Sequence, residues 1–180
     1  VGAVAPGTVG GRRAHPPQIT KIWEHKINIK ERRKAIRSAI AATLNAGMVK
    51  LRGHQFKNLI NVIDSKIENL NKTKEVEDLF LKLGLERELE RISEKTIRAG
   101  VGKNRGRPYK KKKGPLFVVS GKCKLLLAAK NIPGVDVCVV KDLNAELLAP
   151  GATPGRLTIF TEKAIEMLEK EKLFFSKVKA

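Results

Sequence analysis

PLFVVSGKCKLLLAAKNIPGVDVCVV, Pro115 to Val140, decides the fold. Leu116 to Val119 is a short run apolar at every position, and a proline is tolerated in a strand only at its start, where Pro115 stands. Lys124 to Lys130 is an apolar helical stretch that Asn131 and Pro133 stop. Val135 to Val140 is expected to be another buried strand, holding Cys138 as a small core residue. Strands without polar alternation, joined through a helix, are buried on both faces, as in a parallel sheet between two helical layers.

The same grammar extends outward. Leu59 to Ile63 is expected to be a buried strand closed by Asp64-Ser65, and Leu157 to Phe160 a short fourth one. Thr73 is placed to cap a helix with Val76, Leu79, Phe80 and Leu83 on its inner stripe and Gly84 at its end. Leu85 to Ser93 is expected to be a more exposed, charge-laced helix. Thr161 and Glu162 should open a last helix that carries Ile165 and Leu168 inward. Asn28 with Glu31 three residues on predicts a helix to about Leu44, its stripe of Ile36, Ala39, Ile40 and Thr43 packed inward. The expected class is α/β: a three-layer α/β/α domain around a small, mainly parallel sheet. An extended basic arm at residues 1–18 precedes one globular unit at 19–180, which carries a basic internal loop at 98–114.

The charge is lopsided. Lys and Arg number 37 against 18 Asp and Glu, a net charge of +19, beyond what solubility asks for. RAGVGKNRGRPYKKKK contains Arg98, Lys103, Arg105, Arg107, Lys110, Lys111, Lys112 and Lys113 with no acid among them. Such a run cannot be buried, so it faces water or a polyanion. Gly100, Gly102, Gly106 and Pro108 argue against regular structure there, and Tyr109 offers a flat face on which a base can stack. The plainer alternative is a solvated loop. Lys30, Arg33, Lys34 and Arg37 form one basic helix face, the Gly- and Pro-rich arm ends in Arg12, Arg13 and His15, and Arg52 joins the same set of candidate RNA contacts. Between Asp64 and Glu94 acids outnumber bases, which favours a nucleic-acid partner over a generally sticky surface. No apolar run approaches the roughly 18 residues that a membrane span requires.

The signals of catalysis are weak. Cys123 and Cys138 stand in no CxxC or Cys/His spacing, so neither a metal site nor a disulfide framework is expected, and a reducing compartment fits. Gly102 to Gly106 does not read GxxxxGK[ST], and Gly151 to Arg156 follows no strand and opens no helix. His15, His25 and His54 have no Ser or Cys partner in a recognisable motif, which makes hydrogen bonding or RNA contact their expected role. No cofactor, small-molecule substrate or enzymatic activity is expected. Val1 to Gly11 has neither the charged nor the apolar region of a signal peptide and no initiating Met, as in a fragment.

GGRRAHPP (Gly10 to Pro17), ERRKAIRSAIAAT (Glu31 to Thr43), RGRPYKKKKGPLFV (Arg105 to Val118) and LNAELLAPGATPGRLTIFTEKAI (Leu143 to Ile165), in this order, closely resemble the family of large ribosomal subunit protein four. The form of the arm and of the RGRxY loop, and an end soon after the last helix, resemble its archaeal members. Relative to the family, a first strand and the outgoing half of a long internal loop are missing, and Val1 to Pro17 resembles the returning half. The resemblance implies a cytoplasmic, ribosomal protein with a structural role. Its globular body would lie on the large subunit, bound to ribosomal RNA and neighbouring proteins, and its loop would help form the wall of the nascent-peptide exit tunnel, near the nascent peptide. On that reading Arg12 and Arg13 meet phosphates, His15 a base or sugar, and Arg105, Arg107 and Tyr109 a second RNA site. Two rivals are an RNA-directed modification enzyme on the same sheet and a free regulatory RNA-binding protein.

Overall fold

A computed structural model describes residues 13–175. Residues 13–28 form neither helix nor strand, and every one is exposed. The first helix, α1 (Ile29–Thr43), starts where Asn28 Oδ1 accepts the Lys30 amide at 3.1 Å. It buries Ile36, Ala39, Ala42 and Thr43, with Ile40 half-buried. A short α2 (Ala46–Leu51) follows, capped by Asn45, which accepts from the Gly47 and Met48 amides.

The expected strand at Leu59 to Ile63 shrinks to β1 (Val62–Ile63), with Val62 48% exposed. It lies at the sheet edge and pairs on one side only, so its apolar run is half covered. After a 3-10 turn at Ser65–Asn69 comes α3 (Thr73–Lys82), with Val76 and Phe80 fully buried. Thr73 is its first helical residue rather than its cap. Glu75 reaches back instead to the Asn71 and Lys72 amides, where a carboxylate also favours the helix N-terminus.

Helix α4 (Glu86–Ser93) is less exposed than its charge predicts, because Glu88 and Ile92 are both buried. The basic segment that its glycines marked as irregular is a hairpin, in which β2 (Lys95–Ile97) pairs antiparallel with β3 (Tyr109–Lys111). The glycines serve the connection. Gly100 and Gly106 both take φ +77 on either side of a 3-10 turn at Val101–Arg105, a backbone that side chains disfavour.

The body closes with β4 (Leu116–Val119), α5 (Leu125–Lys130), β5 (Asp136–Val139), α6 (Ala145–Leu148), β6 (Thr158–Thr161) and α7 (Glu162–Lys170). The main sheet has the order β1-β6-β4-β5, with every neighbouring pair parallel. Period-two alternation splits the apolar strands between two cores. Phe117, Val119, Val137, Val139 and Ile159 pack with Phe80, Ile92, Leu125 and Ala128. Leu116, Val118, Cys138 and Phe160 pack with Ile36, Ala39, Leu148 and Ala164 from the opposite layer. The expected three-layer α/β/α arrangement is therefore present. In α7 the inward residue is Ala164, with Leu168 half-buried, whereas Ile165 is exposed because it is one position, about 100°, round the helix. Burial pushes the Cys138 thiol up to about 12, as befits a core residue.

Candidate RNA interface

The hairpin's ladder sets its chemistry. Lys95 faces Lys111, Thr96 faces Lys110 and Ile97 faces Tyr109. Like charges directly opposite one another destabilise a sheet, and this pair stands at an exposed edge. Lys110 and Lys111 are exposed and meet no carboxylate among the described residues, while the Lys95 ammonium sits 4.6 Å from the centre of the Tyr109 ring. Tyr109 is 47% exposed, leaving part of the ring open. Lys103, Arg105 and Arg107 are exposed around the connecting turn.

Other members of the basic run have partners within the protein. Arg98, half-buried, donates from Nε to the Arg107 carbonyl at 3.2 Å and from Nη2 to the Tyr109 carbonyl at 3.3 Å, so it staples the two arms of the hairpin. Lys112 pairs with Glu94 at 2.6 Å and Lys113 with Asp136 at 3.0 Å. The Lys112 hydrogen bond holds the Glu94 carboxyl below the usual range. The sequence run of four lysines thus divides in two: Lys110 and Lys111 point charge outward, and Lys112 and Lys113 anchor the hairpin to the body.

The α1 face divides as well. Lys30 and Lys34 are exposed, but Arg33 donates from Nη1 to the Phe175 carbonyl at 3.1 Å and Arg37 lies 5.4 Å from the Phe175 ring centre. Arg13 and His15 are exposed on the extended segment, and Arg12 lies outside the described residues. Arg52 has an intramolecular occupation: its guanidinium donates to the Thr153 and Pro150 carbonyls and so holds the turn at Pro150–Ala152. Partial burial, with Arg156 and Arg91 nearby, lowers its pKa.

Two buried ionic groups escaped the sequence reading. His54 Nδ1 lies 2.6 Å from Glu88 Oε1, the other Glu88 oxygen accepts from the Gln55 amide at 2.9 Å and from Arg91 Nε at 2.8 Å, and Glu88 is fully buried. Burial pushes the Glu88 pKa up, but the bonds from Arg91, His54 and Gln55 outweigh it and the net shift is downward. His54 is therefore a structural partner that faces away from solvent. A legible signal existed, since Glu88 shares a helical face with Leu85 and Ile92. Arg156, also fully buried, donates to the Gly114 carbonyl at 2.8 Å, the Leu147 carbonyl at 2.8 Å and Asp136 Oδ2 at 2.6 Å. It joins the foot of the hairpin to α6 and to β5. It has the same parity as the buried Thr158 and Phe160, and Leu157 and Ile159 between them are buried as well.

The carboxyl ends of the strands, where open parallel sheets commonly bind ligands, hold Glu68. Its carboxylate accepts from the Ser120 amide at 3.0 Å and from the Ser120 and Thr161 hydroxyls at 2.8 Å each. Partial burial works against ionisation there, yet these donors bring the net pKa below the ordinary value. The arrangement ties β4 to β6 and the turn after β1.

The four sequence blocks described above all lie within the stretch that matches a known family. The model of the ribosomal protein L4/L1 family matches residues 2–171. The chain belongs to this family. It is 54% identical over 168 residues to the large ribosomal subunit protein uL4 of Nanoarchaeum equitans, covering 93% of this chain and 63% of that protein. It is 52% identical over 167 residues to its counterpart in Archaeoglobus fulgidus, covering 92% and 66%. The counterpart in Methanocaldococcus jannaschii is 52% identical over 171 residues, covering 93% and 68%. This L4/L1 chain thus spans about two thirds of the length of the curated relatives it matches.

Proposed function

We propose that this chain serves as a structural constituent of the large ribosomal subunit in the cytoplasm, binding large-subunit ribosomal RNA. One observation carries this reading: a hairpin whose exposed Lys110 and Lys111 face outward without acids, with Lys111 opposite Lys95. A polyanion neutralises that charge directly, whereas solvent and salt only screen it. Arg105, Arg107, Lys103 and Tyr109 complete this contact, with Lys30, Lys34, Arg13, His15 and Arg12 as a second one along the arm. Arg98, Arg52, Lys112 and Lys113 support the interface chiefly by fixing backbone, and Arg33 and Arg37 reach RNA beside the Phe175 segment. Recognition is by shape and phosphate more than by base edges. Membership in the L4/L1 family supports a place beside neighbouring ribosomal proteins, with the arm helping to form the wall of the exit tunnel near the nascent peptide. The role is architectural rather than enzymatic.

Salt dependence tests the interface. The logarithm of the binding constant for a ribosomal RNA fragment falls linearly with log salt, by about 0.7 to 0.9 per neutralised phosphate. Replacing Lys110 and Lys111 with Ala is expected to flatten that slope by roughly 1.5 if each meets one phosphate. Replacing Lys112 and Lys113, which meet Glu94 and Asp136, is expected to change it less. An unaltered slope in the first variant would make the hairpin a solvated face.

A further inference from the structure

We infer that Trp23 is a stacking site for one unpaired RNA base, an inference that rests on the RNA-binding reading above. Trp23 lies in the extended segment before α1 and is 70% exposed. The Lys21 amide donates to the Gln18 carbonyl at 3.3 Å, closing a turn, and the Lys21 ammonium lies 4.5 Å from the centre of the Trp23 ring. This repeats, in an unrelated part of the chain, the pairing of Lys95 with Tyr109 at 4.6 Å. In each pair an ammonium sits over the ring and much of the aromatic surface stays open, so one base can stack while the cation meets its phosphate.

The composition of the segment selects the partner. From Gln18 to Lys34 stand the six cations Lys21, Lys26, Lys30, Arg32, Arg33 and Lys34 against two acids, Glu24 and Glu31. An apolar protein groove would accept Ile19, Ile22 and Trp23 but would have to desolvate that charge, whereas a polyanion neutralises it. The backbone of residues 13–28 forms no helix or strand, and extended exposed chain can enter gaps in folded RNA where single bases are splayed out.

Trp23 is the chain's one tryptophan, so its emission reports on this site alone. The chain is titrated with a fluorescently labelled single-stranded RNA and with a duplex of equal length, reading RNA anisotropy and tryptophan emission together. Single strands should bind and quench Trp23, while the duplex should bind with little quenching. Trp23→Ala should weaken single-strand binding by about 5- to 100-fold, with most of the affinity kept in Trp23→Phe and little change for the duplex. RNA binding by anisotropy with unquenched Trp23 emission would overturn the stacking site and leave the RNA-binding reading standing. A blue-shifted, brighter emission would show burial against protein and overturn it equally. No binding of either RNA would remove both readings. The residue is outside both cores, so the Ala variant is expected to fold.

Discussion

Replacing Glu88 with Ala is expected to destabilise the protein by about 3 to 5 kcal/mol, because it strands a cation in a water-poor site. The Glu88 side chain is fully buried, that of His54 is 1% exposed and that of Arg91 14%. Removing the carboxylate leaves the Gln55 amide without its acceptor and Arg91 with the Lys113 carbonyl, 2.8 Å from Nη2, but without a counter-charge. For a chain of this size such a loss lowers Tm by roughly 6 to 20 °C. Glu88→Gln keeps an oxygen for one donor and should lose less. The pH dependence has a fixed sign. The folded-state pKa of Glu88 lies below the ordinary value, so the unfolded chain binds its proton more tightly. The stabilisation is present above the ordinary glutamate pKa of about 4.3 and disappears as pH falls through the depressed one. Thermal unfolding between pH 3 and 7 checks both points: wild type should lose stability with acid more steeply than Glu88→Ala. A loss below about 1 kcal/mol at pH 7 would mean that Arg91 finds water or another acceptor.

Arg156 is expected to be nearly as costly to replace. Arg156→Met fills a similar volume but leaves the Gly114 and Leu147 carbonyls without the guanidinium and deprives Asp136 of its 2.6 Å partner. About 3 to 5 kcal/mol is the expected loss in denaturant unfolding. Arg156→Lys should recover less than half of it, since an ammonium cannot span the directions that the planar fork reaches. A second readout isolates the ion pair. Partial burial raises the Asp136 pKa, while Arg156 and then Lys113 lower it, and the net shift is downward. In Arg156→Met that carboxyl should titrate higher, by NMR. An unmoved Asp136 together with full recovery by Lys would show that Arg156 acts through volume alone.

These two residues mark where reading the sequence stopped. Continuous apolar runs such as Leu116 to Val119 can be placed to the residue because nothing except a doubly covered strand suits them. The N-terminus of α1 was equally plain from Asn28. A charge gives no such direction. In the helix ERELERIS one glutamate is buried and its neighbours are not, and the difference depends on His54, 34 residues earlier in the chain. The basic hairpin was hidden for a related reason. Alternation identifies strands, and Tyr109 to Lys111 has no apolar face because both sides meet solvent. Of the candidate RNA contacts, the exposed cations were visible from composition, but which lysines already have acids as neighbours depends on Glu94 and Asp136 folding back. Trp23 was overlooked because a single aromatic outside any periodic stretch carries no pattern.

The order of strands bears on how the chain acquires its shape during synthesis. The sheet runs β1-β6-β4-β5, so among the described residues the last strand made, β6, is inserted between β1 and β4. Val62 and Ile63 have no ladder partner until Phe160 and Thr161 arrive. At translation rates of about 5 to 20 residues per second, β1 waits on the order of 5 to 20 seconds after it is made. During that interval β4 and β5 are the one pair of the main sheet that can form, and β4 keeps one raw edge that is prone to pairing with another chain. Arg156, which fastens the hairpin foot, also comes late, just ahead of β6. The polyanion-binding element and the closing of the sheet therefore mature together, once Arg156 and β6 have been made.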